Sequence, residues 1–323
     1  PAYPRMQGKV KEMYPAFIHV TLSNLCNLSC RMCFPEFSSQ LADTYKKLNI
    51  LDQSAPTLDD WSQDSEKWQN FLDLVKNSKQ LVSLHFMGGE PLYHKRFYEF
   101  IDWAIENKHT TFHLTFVTNA TVYDDKLMEK LKNFKSVHIE MSVENFHQTN
   151  NYVRTGSEYT VIKHNVEQFL KHKGDNTRVV LRTVPQALSI AHYDTILDFA
   201  MDNDIMIDYN ILTNPLHLKM NVLPKELKND LVTKLRTKYA DILQLEDADK
   251  LTKITRVRDS QKVIFRSQIS YLISSLEESE PDDIEDLRKQ FVQYNKDLDK
   301  HTVLKFKSVY PELVEFYEKY SNI

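Results

Sequence analysis

The chain has 323 residues, 41% of them apolar and 27% charged, enough for one large domain with an appendage or for two modest ones. Its 41 basic and 45 acidic side chains leave a net charge of −4, so no global positive field recruits nucleic acid, although a local patch stays open. With 5 glycines and 11 prolines it is not of low complexity; it shows no apolar run of about 18 residues that would span a membrane and no signal peptide, and its clustered thiols suit a reducing, cytoplasmic setting.

Residues 1–15 are polar and punctuated by proline, and read as a lead-in. From Ala16 to Leu22 the side chains alternate, which predicts a half-buried strand running into all three cysteines of the chain, Cys26, Cys30 and Cys33. Residues 35–62 form a long polar connection with a short helix over Leu41–Leu48, and are a candidate lid over the cysteines. A strand–helix rhythm then sets in. Helices Ser65–Asn77, Arg96–Asn107, Asp124–Lys132, Thr160–Lys173 and Tyr193–Asn203 precede strands Leu81–Met87, Thr111–Val117, Ser136–Val143, Arg178–Val184 and Met206–Ile211 respectively. Six strands alternating with helices predict an α/β fold, a parallel sheet with helices outside, closed as an open and incomplete barrel; a doubly wound sheet is the competing closure. Beyond Asn214 the rhythm stops. Helices are expected from Pro224 to Tyr239, after Asp259 (stripe Ile269, Leu272, Ile273, Leu276), from Pro281 (Ile284, Leu287, Phe291, Tyr294, Leu298) and around Leu313–Tyr320. Their stripes predict a tail docked on the barrel or on a partner. The expected organisation is a lead-in over 1–15, a barrel over 16–215 and a helical extension over 216–323.

Three cysteines within eight positions cannot be a disulfide framework, and a closed structural zinc site asks for a fourth ligand that the chain lacks. Three thiolates leave one metal position open, or hold an iron–sulfur cluster with one iron free. Seven residues could reach roughly 24 Å if extended, so convergence requires a recurved loop, for which Asn27 and Ser29 are suitable turn formers. In parallel β/α folds chemistry gathers where strands end, and the strand ends here are unusual. The first after the loop carries Gly88-Gly89-Glu90, either a plain turn or a close approach to a ligand. The next carries Thr118-Asn119-Ala120, where Asn119 either caps a helix or meets a ligand. Ser142-Val143-Glu144-Asn145 follows, with Tyr152-Val153-Arg154 downstream. Arg182, inside a strand, is either half of a structural ion pair or a carboxylate contact. His19, His85, His113 and His138 sit mid-strand, with Glu140 on the face of His138 and Ser142; they are ordinary core or surface histidines, or a polar barrel lining that meets substrate.

Cys-x3-Cys-x2-Cys with Met32 before the last cysteine resembles the signature of the radical S-adenosylmethionine (radical SAM) superfamily, and Gly88-Gly89-Glu90 resembles its Gly-Gly-Glu motif. The resemblance implies a partial (β/α)6 barrel and a [4Fe–4S] cluster on Cys26, Cys30 and Cys33 whose open iron takes S-adenosylmethionine. It further implies reductive cleavage to methionine and a 5′-deoxyadenosyl radical that takes hydrogen from a substrate. By the same resemblance Met32 sits beside the cofactor, while Gly88, Gly89 and Glu90 meet its amino group. Asn119 contacts it, Ser142 and Arg154 hold its carboxylate with Arg182 a further candidate, and backbone near Leu212 meets adenine. Thr118-Asn119-Ala120 departs from the family's Thr-Asn-Gly, which puts a positive φ at Ala120 in doubt. Glu144 and Asn145 replace Asp-Gly, and Glu144 is assigned no role. The tail, through Leu298-Asp299 and Tyr310-Pro311-Glu312-Leu313, resembles that of twitch- or SPASM-bearing members from bacteria and phages, which often modify peptides or proteins. Expected partners are therefore a peptide, protein or small-molecule substrate and an electron donor of flavodoxin or ferredoxin type. Those relatives usually carry extra cysteines, so either one cluster suffices or an auxiliary-cluster segment lies outside these residues. A non-catalytic iron–sulfur scaffold is the rival class, and it gives no reason for Gly88-Gly89-Glu90 or Arg154.

Overall fold

The alternating stretch after Ala16 forms strand β1 (Phe17–Thr21) in a computed structural model that describes residues 14–245 and 257–321; most of the predicted lead-in lies outside the described residues. Strand β2 (Ser29–Cys30) lies within the cysteine loop, and helix α1 (Ser39–Lys47) follows, its first turn capped by Ser38 Oγ accepting from the Leu41 N–H. Asp64 caps α2 (Ser65–Asn77) in the same manner. Next come β3 (Ser83–Met87), α3 (Lys95–Glu106), β4 (His113–Thr118), α4 (Asp125–Leu131), β5 (Ser136–Ser142), α5 (Gln148–Val153), β6 (Arg154–Thr155), α6 (Tyr159–His172), β7 (Thr177–Thr183), α7 (Asp194–Asp202) and β8 (Met206–Tyr209). The predicted barrel elements are all present, their ends shifted by one or two residues. Two elements were not expected: α5, and the antiparallel ribbon of β2 and β6. Both are built from short polar sequence with no usable period.

The six long strands lie side by side in chain order, β1-β3-β4-β5-β7-β8, all parallel. A doubly wound sheet reverses its strand order part way. An order that never reverses puts every right-handed crossover on one face, so the helices wrap one side and the sheet is the incomplete barrel. Period two then sorts the side chains. Leu84, Phe86, Leu114, Phe116, Val137, Ile139, Met141 and Leu181 face the helices and are buried. Phe86 meets Phe100 and Phe97 of α3 with ring centroids 5.0 and 5.3 Å apart. The alternate residues, among them His85, Thr115, His138, Glu140, Ser142 and Arg182, are only half-buried and occupy the concave face.

The tail comprises α8 (Lys225–Lys238), α9 (Ala240–Leu243), α10 (Val257–Leu276), α11 (Ile284–Asp299), α12 (Phe306–Val309) and α13 (Val314–Ser321). The predicted stripes are buried but for one residue: Ile269, Leu272, Ile273 and Leu276 on α10, and Ile284, Leu287, Phe291 and Leu298 on α11, with Tyr294 half-buried. All of the buried ones but Leu298 join the same hydrophobic cluster as the sheet. Polar ties reinforce the docking, with Gln268 Nε2 donating to Ile207 O at 2.5 Å and Tyr310 Oη to Leu188 O at 2.6 Å.

Candidate active site

The cysteine loop leaves β1 and is folded back by bonds from several directions. Asn24 is its hub: Nδ2 donates to Pro35 O and Thr57 O (3.2 and 3.0 Å), and Oδ1 accepts from the Asp59 N–H at 2.9 Å. Ser38 Oγ donates to Leu28 O at 2.6 Å, and the Cys33 N–H reaches Cys30 O at 3.0 Å. The connection over 35–62 is thus tied to the loop, and it supplies Phe37 and Ser38 to the wall of the cavity that the cysteines line. Asn27, expected only as a turn former, crosses to the end of β4: its Oδ1 accepts from Asn119 Nδ2 at 2.8 Å, and its Nδ2 donates to Thr121 Oγ1 at 3.0 Å.

Gly88 and Gly89 have φ of +78° and +57°, the left-handed region that favours glycine. A Cβ on Gly88 would stand 2.4 Å from Thr21 Cγ2, and one on Gly89 would stand 2.4 Å from Leu25 O. The close approach these glycines permit is therefore to the end of β1, at Gly88, and to the cysteine loop that follows it, at Gly89. The Gly89 N–H donates to Phe37 O at 3.1 Å and the Glu90 N–H to Leu25 O at 2.8 Å. Glu90 turns inward: Oε1 accepts from the Leu92 N–H (3.0 Å) and Thr118 Oγ1 (2.8 Å), and Oε2 from the Asn119 N–H (2.5 Å). Burial pushes its carboxyl up to about 7, against these three donors. Glu90 thus ties the end of β3 to the end of β4. Ala120 has φ +58°, so the left-handed turn is made despite the Cβ that replaces the family's glycine.

A cavity of about 260 Å³ opens at the C-terminal ends of the strands. Nine predicted residues line it: the three cysteines, Gly88, Gly89, Asn119, Ser142, Arg154 and Arg182. Three others do not. Met32 is packed against the hydrophobic core, Glu90 is used as described, and Leu212 borders a separate cavity with Ile211 and Tyr271. Asn210 lines the cysteine cavity instead. A wider cleft of about 1040 Å³ between α8 and the last tail helix is lined by none of the cysteines, so size alone does not locate the chemistry.

Sequence reasoning passed over Glu144, and the structure makes it the anchor of Arg154. Its Oε1 accepts from Arg154 Nε and Nη2 at 3.1 and 2.5 Å, and its Oε2 accepts from the Val184 N–H at 2.8 Å. Arg154 Nη1 is left 3.8 Å from Cys30 Sγ. The signal was an acidic residue ten positions before the arginine, discounted because it departed from Asp-Gly. Arg182 pairs with Glu140, whose other oxygen stands 3.9 Å from His138 Nδ1, while His85 Nε2 is 3.9 Å from the carboxylate. Arg182 is therefore both half of an ion pair and part of the cavity wall.

The thiols suit a metal cluster. Burial pushes Cys26 up to about 11 and raises Cys30 and Cys33 as well, with Arg154 pulling the other way. Thiolates in this place need a cation to compensate them, which iron supplies and a single shared guanidinium does not. Among the described residues no three Cys, His, Asp or Glu side chains gather closely enough to hold one metal ion. A four-iron cluster takes each thiolate at a different iron, and three thiols around one cavity fit that demand.

Residues 20–200 match the family model described as the Radical SAM superfamily. Among curated proteins the chain is similar to the radical SAM cyclopropyl synthase TigE of Paramaledivibacter caminithermalis, 24% identical over 197 residues that cover 58% of this chain and 39% of that one. It is similar also to an S-adenosylmethionine-dependent nucleotide dehydratase of Selenomonas ruminantium, 26% identical over 116 residues, or 36% and 33% of the two chains. The matches thus span 39% or less of these relatives' own lengths. Among solved structures, anSMEcpe with bound AdoMet superposes with a TM-score of 0.49 at 17% identity, covering 70% of this chain and 60% of that one.

Proposed function

The chain belongs to the radical SAM superfamily of enzymes, and on that premise we propose that Cys26, Cys30 and Cys33 hold a [4Fe–4S] cluster whose fourth iron takes S-adenosylmethionine. The observation that carries the reading is the meeting of the three thiols, the Gly88-Gly89 turn, Asn119, Ser142 and Arg154 in one cavity at the ends of parallel strands. When bound, the cluster and S-adenosylmethionine supply one-electron cleavage of the sulfonium to methionine and a 5′-deoxyadenosyl radical, which takes a hydrogen atom from substrate. The rest is positioning and electrostatics. Arg154, fixed by Glu144 through Nε and Nη2, keeps Nη1 for the cluster side of the cavity, where it would meet a carboxylate. Ser142 and Arg182 offer further polar contacts on the same wall, and Asn119 Nδ2 stands 4.0 Å from Cys26 Sγ. Glu90 and the two glycines set the distance between the cysteine loop and the strand ends rather than reaching the ligand by side chain.

For substrate we propose a peptide or protein, supported by the likeness of the tail to twitch-bearing members, with reducing electrons from a flavodoxin- or ferredoxin-type donor. A small molecule is the second reading, favoured by the relative named a nucleotide dehydratase. Among the described residues no helix is long and apolar enough to cross a membrane. The test is anaerobic reconstitution with iron and sulfide, followed by dithionite and S-adenosylmethionine. Formation of 5′-deoxyadenosine, even without substrate, is expected; its absence from cluster-loaded protein overturns the assignment.

A further inference from the structure

Arg31 stands between Cys30 and Cys33, takes no part in the cavity wall, and is nevertheless the bulkiest fully buried side chain among the described residues, 1% exposed. Its guanidinium lies 3.7 Å above the Tyr152 ring. Nε donates to Tyr152 O at 3.0 Å, Nη1 to Asn295 Oδ1 at 3.1 Å and Nη2 to Asp299 Oδ1 at 2.8 Å. Its backbone is held as fully: the N–H donates to Val153 O at 2.8 Å, and the carbonyl accepts from Tyr294 Oη at 2.5 Å. Three of these partners, Tyr294, Asn295 and Asp299, belong to α11, more than 260 residues away in sequence. They are themselves aimed, since Asn295 Nδ2 donates to Phe291 O at 2.8 Å and Asp299 Oδ2 accepts the Phe306 N–H at 2.7 Å.

Stability alone does not account for this arrangement. Desolvating a guanidinium costs several kcal/mol, and an apolar residue of similar volume often serves a core as well or better. What a flat, forked cation clamped by a ring, an amide and a carboxylate adds is orientation. Orientation is what this loop lacks by itself, since its regular structure is the two-residue strand β2. We propose that Arg31 is a positioning residue for the Cys30 and Cys33 thiols, and that α11 is the other half of its mount. Docking of the tail helix and retention of the cluster are then one coupled equilibrium. The inference rests on the reading that these thiols hold a cluster, and it gives the tail a part in the active site without any cysteine of its own.

Coupling of this kind is reciprocal, so it can be read from either end. In the wild-type chain, amide exchange across residues 284–299 should slow about tenfold or more when the iron-free protein is reconstituted. From the other end, Arg31→Met and Asp299→Ala should release iron to a chelator about tenfold faster than wild type. Arg31→Lys, which keeps the charge but not the fork, should also release it faster. A merely structural contact would lower the unfolding midpoint of the variants while they release iron at the wild-type rate, with α11 exchange indifferent to loading. That result overturns the proposal while leaving the cluster assignment standing. A wild-type chain that takes up no cluster overturns both.

Discussion

Replacing either glycine at the end of β3 by alanine tests the contact of that strand end with the end of β1 and the cysteine loop after it, because the two positions differ in what a methyl would strike. At Gly88 the obstacle is Thr21 Cγ2, 2.4 Å from the added Cβ and the far end of a side chain; at Gly89 it is Leu25 O, also at 2.4 Å and part of the backbone. Both substitutions carry the left-handed penalty, about 1–2 kcal/mol each. Gly88→Ala adds an overpacking cost of about 1 kcal/mol, for a total of roughly 2–3. Gly89→Ala pushes on the carbonyl that accepts the Glu90 N–H; losing that bond adds about 1 kcal/mol and the backbone shift about 1–3 more, for roughly 3–6 in all. Urea unfolding of iron-free protein reads these costs, and Thr21→Ser separates them. It removes the obstructing methyl, so in a double-mutant cycle it should return about 1 kcal/mol to Gly88→Ala and nothing to Gly89→Ala. Equal rescue of both, or a Gly89→Ala cost below about 1 kcal/mol, would refute the packing described for this turn.

Three other outcomes are expected. Glu144→Gln leaves Arg154 buried without its counter-charge and should cost about 3–5 kcal/mol in denaturant unfolding; a loss below about 1 would mean that the guanidinium finds another partner. Glu90 has its pKa raised from the usual 4.5 to about 7 in the fold, so its contribution is fully present below about pH 4.5 and is lost as pH rises through about 7, a change of about 3 kcal/mol in iron-free protein. Glu90→Gln should flatten that part of the stability–pH curve, and an unchanged slope contradicts the assignment. Ala120→Gly gains the left-handed relief of about 1–2 kcal/mol but gives up a buried methyl and adds unfolded-state freedom, about 1–2 together. Its midpoint should therefore scarcely move, whereas a loss above about 2 kcal/mol would be inconsistent with the φ of +58°.

What the sequence disclosed and what it hid divide along physical lines. The barrel strands were legible because one face of each packs on helices, so Leu84 and Phe86, or Val137, Ile139 and Met141, recur with period two. The site was legible where glycine, asparagine or arginine broke that pattern at a strand end. Pairings between distant segments left no trace: Ser29–Cys30 meets Arg154–Thr155, and Arg31 meets Asp299, with no period linking either pair. Side-chain direction was equally hidden. Glu90 faces the protein and not the cavity because the Leu92 and Asn119 N–H groups and the Thr118 hydroxyl are oriented to receive it, a consequence of how β3 and β4 end together. Glu144 was overlooked for a different reason. Its worth depends on Arg154 being enclosed beside it, and burial is a tertiary fact.

The central claim, a cluster on three thiolates with one iron kept for S-adenosylmethionine, is tested most directly by Mössbauer spectroscopy combined with iron, sulfide and zinc analysis of oxygen-free reconstituted protein. About four irons and four sulfides per chain are expected, with one iron site changing its signal when S-adenosylmethionine is added and the signal lost on replacing Cys26, Cys30 or Cys33 by Ala. Zinc, a lone iron, or four irons all indifferent to S-adenosylmethionine would contradict it.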